Sequence, residues 1–161
     1  MNPDVYRSVM RHFVSGVTIV TAKVDKELFG MTVTSFTSVS LKPLLVSVCL
    51  EAQSRTHEAV NRAGAYAVNL LGADQAALAR EFATPGHSGF EDLAIFAKTT
   101  GSPLLKGTIG HVECTVFKEV AAGDHTIFVG QVMDGEHTGG GPLVYYQSNY
   151  TRLNGNGKEP E

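Results

Sequence analysis

Three short stretches of this chain carry groups that could hold or transform a ligand. Ser54-Arg55-Thr56 sets two hydroxyls and a guanidinium at an expected helix start. Free backbone donors, the helix dipole and an arginine all favour a phosphate there. The same residues also make an ordinary capped surface helix with a solvated Arg55. Gly123-Asp124-His125 opens a strand at a sheet rim, where an imidazole can meet a ligand or stand in solvent after a plain turn. The run Gly30-Met31-Thr32-Val33-Thr34-Ser35-Phe36-Thr37-Ser38-Val39-Ser40 is free of charge and rich in small hydroxyls. Short donors and acceptors let a flat ligand lie close to backbone, although threonine is also simply a good strand residue.

Other chemistries find little support. Gly139-Gly140-Gly141 runs into Pro142 and opens no helix, so it is not a dinucleotide fingerprint, and no Walker sequence occurs. In a strand His111 and Cys114 face opposite ways and cannot easily share an ion, so no metal site is expected. No serine sits in a nucleophile elbow, and Cys49 lies mid-strand. A net charge of −3 and a pI near 6.1 give no electrostatic case for nucleic acid or an acidic membrane. With 43% apolar and 18% charged residues, the 161-residue chain reads as one soluble globular domain. The first residues lack the basic and apolar regions of a signal peptide, and no apolar run reaches membrane-spanning length. Cys49 and Cys114, both in apolar runs, are expected to be free thiols, and the protein to be cytoplasmic.

The elements that must position these groups follow from pattern. Asn2 or Asp4 caps a helix over about residues 3–12, with Val5, Val9 and Met10 on one side. Val17–Ala22 is a β-branched strand, Asp25-Lys26-Glu27 a turn, and Leu28–Met31 the return strand leading into the hydroxyl-rich stretch. Leu44–Leu50 reads as a buried strand, and a helix capped by Ser54 or Thr56 runs to about Arg62. Tyr66–Leu71 is a strand. Asp74 is expected to cap a helix through Ala83, on which Leu78 and Phe82 share a face; Phe82 fits the core, and Glu81-Phe82 could also lend an aromatic edge to a ring system. Thr84–Ser102 is an irregular excursion of the kind that often serves function. Ile109–Val120 puts Val112, Cys114, Val116 and Val120 on one face, with Glu113 and Thr115 between them. His125–Met133 returns as a hairpin, and Leu143–Tyr146 is the last short strand. The domain spans 1–153, and the tail 154–161 is expected to be disordered. Hairpins without a final helix argue for a mainly β fold, a closed or partly closed antiparallel barrel with a few short edge helices.

Three blocks in register resemble the flavin reductase family, the small reductase components of two-component flavin-dependent monooxygenases such as those hydroxylating phenols. They are Gly30-Met31-Thr32 through Leu41-Lys42-Pro43, Tyr66–Leu71, and Gly123–Val132, and the resemblance runs from about Val5 to Tyr150. It implies a homodimeric split β-barrel of Greek-key, FMN-binding type, with FMN or FAD at the subunit interface and NADH or NADPH as co-substrate. By position, Thr32, Val33, Thr34, Ser35, Ser38, Val39 and Ser40 would line the ring and ribityl chain. Ser54, Arg55 and Thr56 would hold the phosphate, with Glu81 and Phe82 near the flavin. His125 would contact the nicotinamide, with Tyr146 and Tyr150 near the same pocket. Hydride transfer needs orientation rather than a protein acid–base dyad, which suits the absence of a triad or metal set. The implied partner is a separate monooxygenase that receives reduced flavin. The alternative is a flavin-binding redox carrier without significant NAD(P)H turnover.

Overall fold

The computed structural model describes residues 1–86 and 89–153, so the tail 154–161 lies outside the described residues. The chain opens with α1 (Pro3–Met10) and a short β1 (Ser15–Gly16), followed by β2 (Thr18–Val24), β3 (Glu27–Val33), β4 (Thr37–Leu41) and β5 (Leu44–Glu51). Then come α2 (Arg55–Ala63), β6 (Ala65–Leu70), α3 (Ala76–Phe82), and the small pair β7 (Ile95–Phe96) and β8 (Leu104–Leu105). The long arms β9 (Gly110–Ala122) and β10 (His125–His137) precede β11 (Leu143–Tyr146) and β12 (Asn149–Arg152). Seven strands form one antiparallel sheet in the order β3-β2-β6-β9-β10-β5-β4, while β1, β11 and β12 form a second. No helix among the described residues is long and apolar enough to cross a membrane.

The large sheet curls around a core of Val20, Val48, Leu50, Tyr66, Val68, Cys114 and Phe128, into which α2 inserts Ala59 and Val60. Just beyond β3 a side chain, rather than a strand ladder, ties the chain across to β5. Ser35, just beyond β3, donates its hydroxyl to Cys49 O at 3.1 Å and accepts Cys49 N–H at 3.0 Å. That closure leaves a split between β3 and the end of β5, and the fold is the expected split barrel. Residues 18–22 of β2 are all buried, because Val20 and Ala22 face the barrel while Ile19 packs in a second cluster beneath α3. A β-branched run buried on both faces is what such a position selects.

Local chemistry sets several boundaries as expected. Ser54 caps α2 by accepting His57 N–H at 3.1 Å, and Gly64 ends it at φ +62. Others differ. Asp74 does not cap α3, which starts at Ala76; Gln75 stands at the cap, and its Oε1 instead accepts Gly72 N–H at 2.7 Å. The hydroxyl-rich stretch breaks into β3 and β4 at Thr34–Phe36 instead of running as one strand. Glu113, expected to alternate outward, is fully buried because the 95–105 excursion covers that face. Its carboxylate accepts Thr100 N–H at 2.8 Å, the Thr100 hydroxyl at 2.7 Å and Thr99 N–H at 3.2 Å, and so anchors the excursion. Val120 leaves the core face and is 39% exposed, since a bulge opposite Val129/Gly130 leaves Phe117 unpaired and turns the strand over.

Candidate functional site

A cleft of about 490 Å³ opens at the split in the barrel. Its floor is β3 from Leu28 to Met31; one wall is the end of β5 with the loop into α2, and the other is the end of α3 with Ala83–Gly86. The volume lies within the roughly 300–1,000 Å³ typical of small-molecule sites. Ser54, Arg55, Thr56 and Phe82 therefore come together, as the sequence suggested. At the first turn of α2, the N–H groups of Arg55 and Thr56 precede any helical acceptor and point outward from the helix end. Thr56 is buried, and the Arg55 guanidinium lies 5.3 Å over the Phe29 ring, which holds it beside the helix start. This donor set fits a phosphate, and the cleft beside it has room for the rest of a nucleotide.

Phe82 is seated by glycine. A Cβ on Gly30 would lie 2.7 Å from Phe82 Cε1, so the ring can rest on the β3 backbone only because Gly30 has no side chain. Phe90 meets the same ring edge-on at 5.1 Å, which makes Phe82 both core residue and cleft wall.

His125 is set by strand register beside this site, next to its lining rather than in it. It stands directly opposite Glu51 on β5, and directly opposed residues project from the same face. Ala52 N–H donates to Asp124 O at 3.0 Å, tying the hairpin turn to the cleft wall. Gly123, at φ +66, permits that two-residue turn. Asp124 Oδ1 lies 2.7 Å from His125 Nδ1, leaving Nε2 as the ring nitrogen available to a ligand. The hydrogen bond and charge of His125 hold the Asp124 carboxyl below its ordinary range.

The remaining candidates disperse. Thr34 and Ser35 line a second cavity of about 370 Å³ on the other side of the β3–β4 junction, with Phe13, Val14 and Phe36. The Thr32 hydroxyl is committed to Ala79 O at 2.7 Å, and Val33 is buried in the barrel. Ser38 and Val39 are exposed on the edge strand β4, and Ser40 Oγ accepts Lys42 N–H at 3.2 Å. Glu81 is half-buried on α3. Tyr146 and Tyr150 part company: Tyr150 pairs with Tyr145 at 5.4 Å and lies under Arg80, while Tyr146 turns toward His12. Burial pushes the Tyr150 phenol up. Sequence reasoning missed Phe29, Glu51 and Gln53 as cleft residues. Phe29 on β3 faces Glu51 and Gln53 across the split, between segments that share no ladder, and no local signal speaks of that approach.

Known proteins resemble this chain in sequence and in fold. The family described as flavin reductase like domain matches residues 10–154. The reductase component of 4-nitrophenol 4-monooxygenase/4-nitrocatechol 2-monooxygenase from Rhodococcus opacus is 40% identical over 145 residues, covering 90% of this chain and 78% of that protein. The FMN reductase (NADH) SmoA of Agrobacterium fabrum is 39% identical over 144 residues, covering 89% and 82%. Among solved structures, the NADH:FAD oxidoreductase of Streptomyces globisporus in complex with NAD and FAD fragments superposes with a TM-score of 0.91 at 32% identity, covering 97% of this chain and 96% of that one.

Proposed function

This chain belongs to the flavin reductase-like domain family, and on that premise we propose that residues 1–153 form an enzyme moving hydride from NADH to FMN or FAD. The reduced flavin then passes to a separate monooxygenase component, as the roles of relatives that are monooxygenase reductase components suggest. One observation carries this reading: a phosphate-suited helix start stands on a nucleotide-sized cleft whose wall residue Glu51 pairs directly with the histidine-bearing strand end. Ser54, Arg55 and Thr56 would hold the flavin phosphate, and β3 with Phe82 would form the wall beside the ring. Thr34, at the neighbouring cavity, and the backbone beside Ser35 are the proposed contacts for the ring edge. His125, oriented by Asp124, would place the nicotinamide. When bound, flavin supplies the hydride acceptor, and the protein contributes stacking distance and orientation.

The test is direct. Purified protein mixed with NADH and FMN or FAD is expected to consume the reduced nicotinamide steadily in air. No oxidation above background with either flavin overturns the reading. Flavin tightly retained without that turnover would favour a redox carrier.

A homodimer belongs to the same proposal. No residue of α1 is buried, and Val5, Tyr6, Val9, Met10, Phe13 and Val14 are each 45–66% exposed. An eight-residue helix is marginal alone and needs an apolar partner. Light scattering is expected to read about twice the 17.2 kDa chain mass, and Tyr6→Lys with Val9→Lys to shift the protein toward monomer. A wild-type monomer at micromolar concentration would refute it. The cytoplasm is the proposed location, where the two free thiols would stay reduced.

A further inference from the structure

The two N–H groups free for a phosphate, those of Arg55 and Thr56, are followed in the chain by a residue that is held twice. His57 donates its backbone N–H to Ser54 Oγ at 3.1 Å, and its ring Nε2 shares a 2.9 Å hydrogen bond with Thr126 Oγ1 on β10. The same ring meets the fully buried Phe128 edge-on, with 5.1 Å between centroids. Of the two elements joined in this way, β10 is the fixed one. Thr126 stands opposite Leu50 on β5 and Ala121 on β9, so ladders hold it from both sides. The first turn of α2 has no ladder. Beyond Thr56, the buried residues of the helix are Ala59 and Val60, one turn further along.

From this we infer that His57 is a positioning residue for the flavin phosphate, an inference that rests on the reductase reading above. It pins the first turn of α2 to β10 and so aims the free donors of Arg55 and Thr56 at the cleft that both residues line. His57 itself is not part of that lining, so its role is support rather than contact. Helix ends fray, and a hydrogen bond weakens steeply as its angle closes, so the direction of the first N–H groups decides what they contribute to a ligand. Donors held in place beforehand need no ordering when the phosphate arrives. The link is one hydrogen bond of ordinary strength, and its loss should lower phosphate-dependent affinity by about threefold to tenfold.

The experiment titrates FMN and riboflavin, followed by flavin fluorescence, against wild type, His57→Phe, Thr126→Val, the double variant and His57→Gln. His57→Phe keeps a ring against Phe128 and removes the bond to Thr126; Thr126→Val removes the same bond from the other side. Each is expected to raise the Kd for FMN about threefold to tenfold and to leave riboflavin, which has no phosphate, within about twofold of wild type. The double variant should lose no more than either single one, since both remove one interaction. His57→Gln places an amide where Nε2 stood and should restore most of the FMN affinity. Unchanged FMN affinity in both single variants, additive losses in the double variant, or equal losses for FMN and riboflavin would each overturn the inference while leaving the reductase reading intact. Wild type that binds neither flavin defeats that reading, and the inference with it.

Discussion

Gly130→Ala is expected to destabilise the protein by about 3 kcal/mol, the largest stability loss from any single added methyl group in the barrel. Gly130 lies on β10 with the fully buried Tyr66 ring packed against its backbone across β9. A Cβ there would lie 2.7 Å from Tyr66 Cζ and 2.8 Å from Cys114 Cβ, and would also press on Tyr66 Oη. None of these atoms can easily retreat. Tyr66 donates to Phe128 O at 3.4 Å, and Cys114 is fully buried beside it. The pocket is apolar enough that burial pushes the Tyr66 phenol far up and the Cys114 thiol up to about 12. Overpacking of this kind costs roughly 1–3 kcal/mol, and weakening the Tyr66 hydrogen bond adds about 1 more. For a chain of this size the midpoint of thermal unfolding should fall by about 6–12 °C. Tyr66→Phe in the same background should recover part of the loss by removing the hydroxyl that the new methyl strikes. A Gly130→Ala protein melting with wild type would show that the ring has room to move.

Arg55→Ala is expected to weaken FMN or FAD binding by about tenfold to a hundredfold, the span of one charged hydrogen-bonding partner worth about 1.5–3 kcal/mol. The control is riboflavin, which lacks the phosphate and should keep nearly its wild-type KM. The guanidinium also lies over Phe29, so the variant loses a cation–π contact worth about 0.5–1 kcal/mol. Thermal melting measures that part separately. Salt should erode the wild-type advantage, because part of it is electrostatic. Equal losses for riboflavin and FMN would mean that Arg55 supports the wall of the cleft rather than a phosphate.

The two variants probe features that the sequence displays unequally. Arg55 stood out because its neighbours announce a helix start, and caps act within three or four residues. Ser54 at the cap and Gly123-Asp124 at the hairpin were legible for that reason. The mainly β architecture was legible too, since runs such as 44–50 and 66–71 carry their strand preference in their own composition. Gly130 was visible only as part of the Gly123–Val132 block; its reason is a tyrosine 64 positions earlier, reached across an intervening strand.

What the sequence by itself determined, then, is roughly where most helices and strands lie and which residues are candidates for a phosphate or a nicotinamide. Those are short-range properties of backbone and capping chemistry. Only the tertiary structure decided which faces those strands present. A bulge opposite Val129/Gly130 turned Val120 outward, and the excursion after α3 buried Glu113. The Ser35 hydroxyl became the clasp of the barrel rather than a free donor. Register between β5 and β10 set Glu51, a residue of the cleft, directly against His125. Strand pairing is non-local, and a shift of one residue exchanges the two faces, so the composition of a single strand cannot say what it will meet.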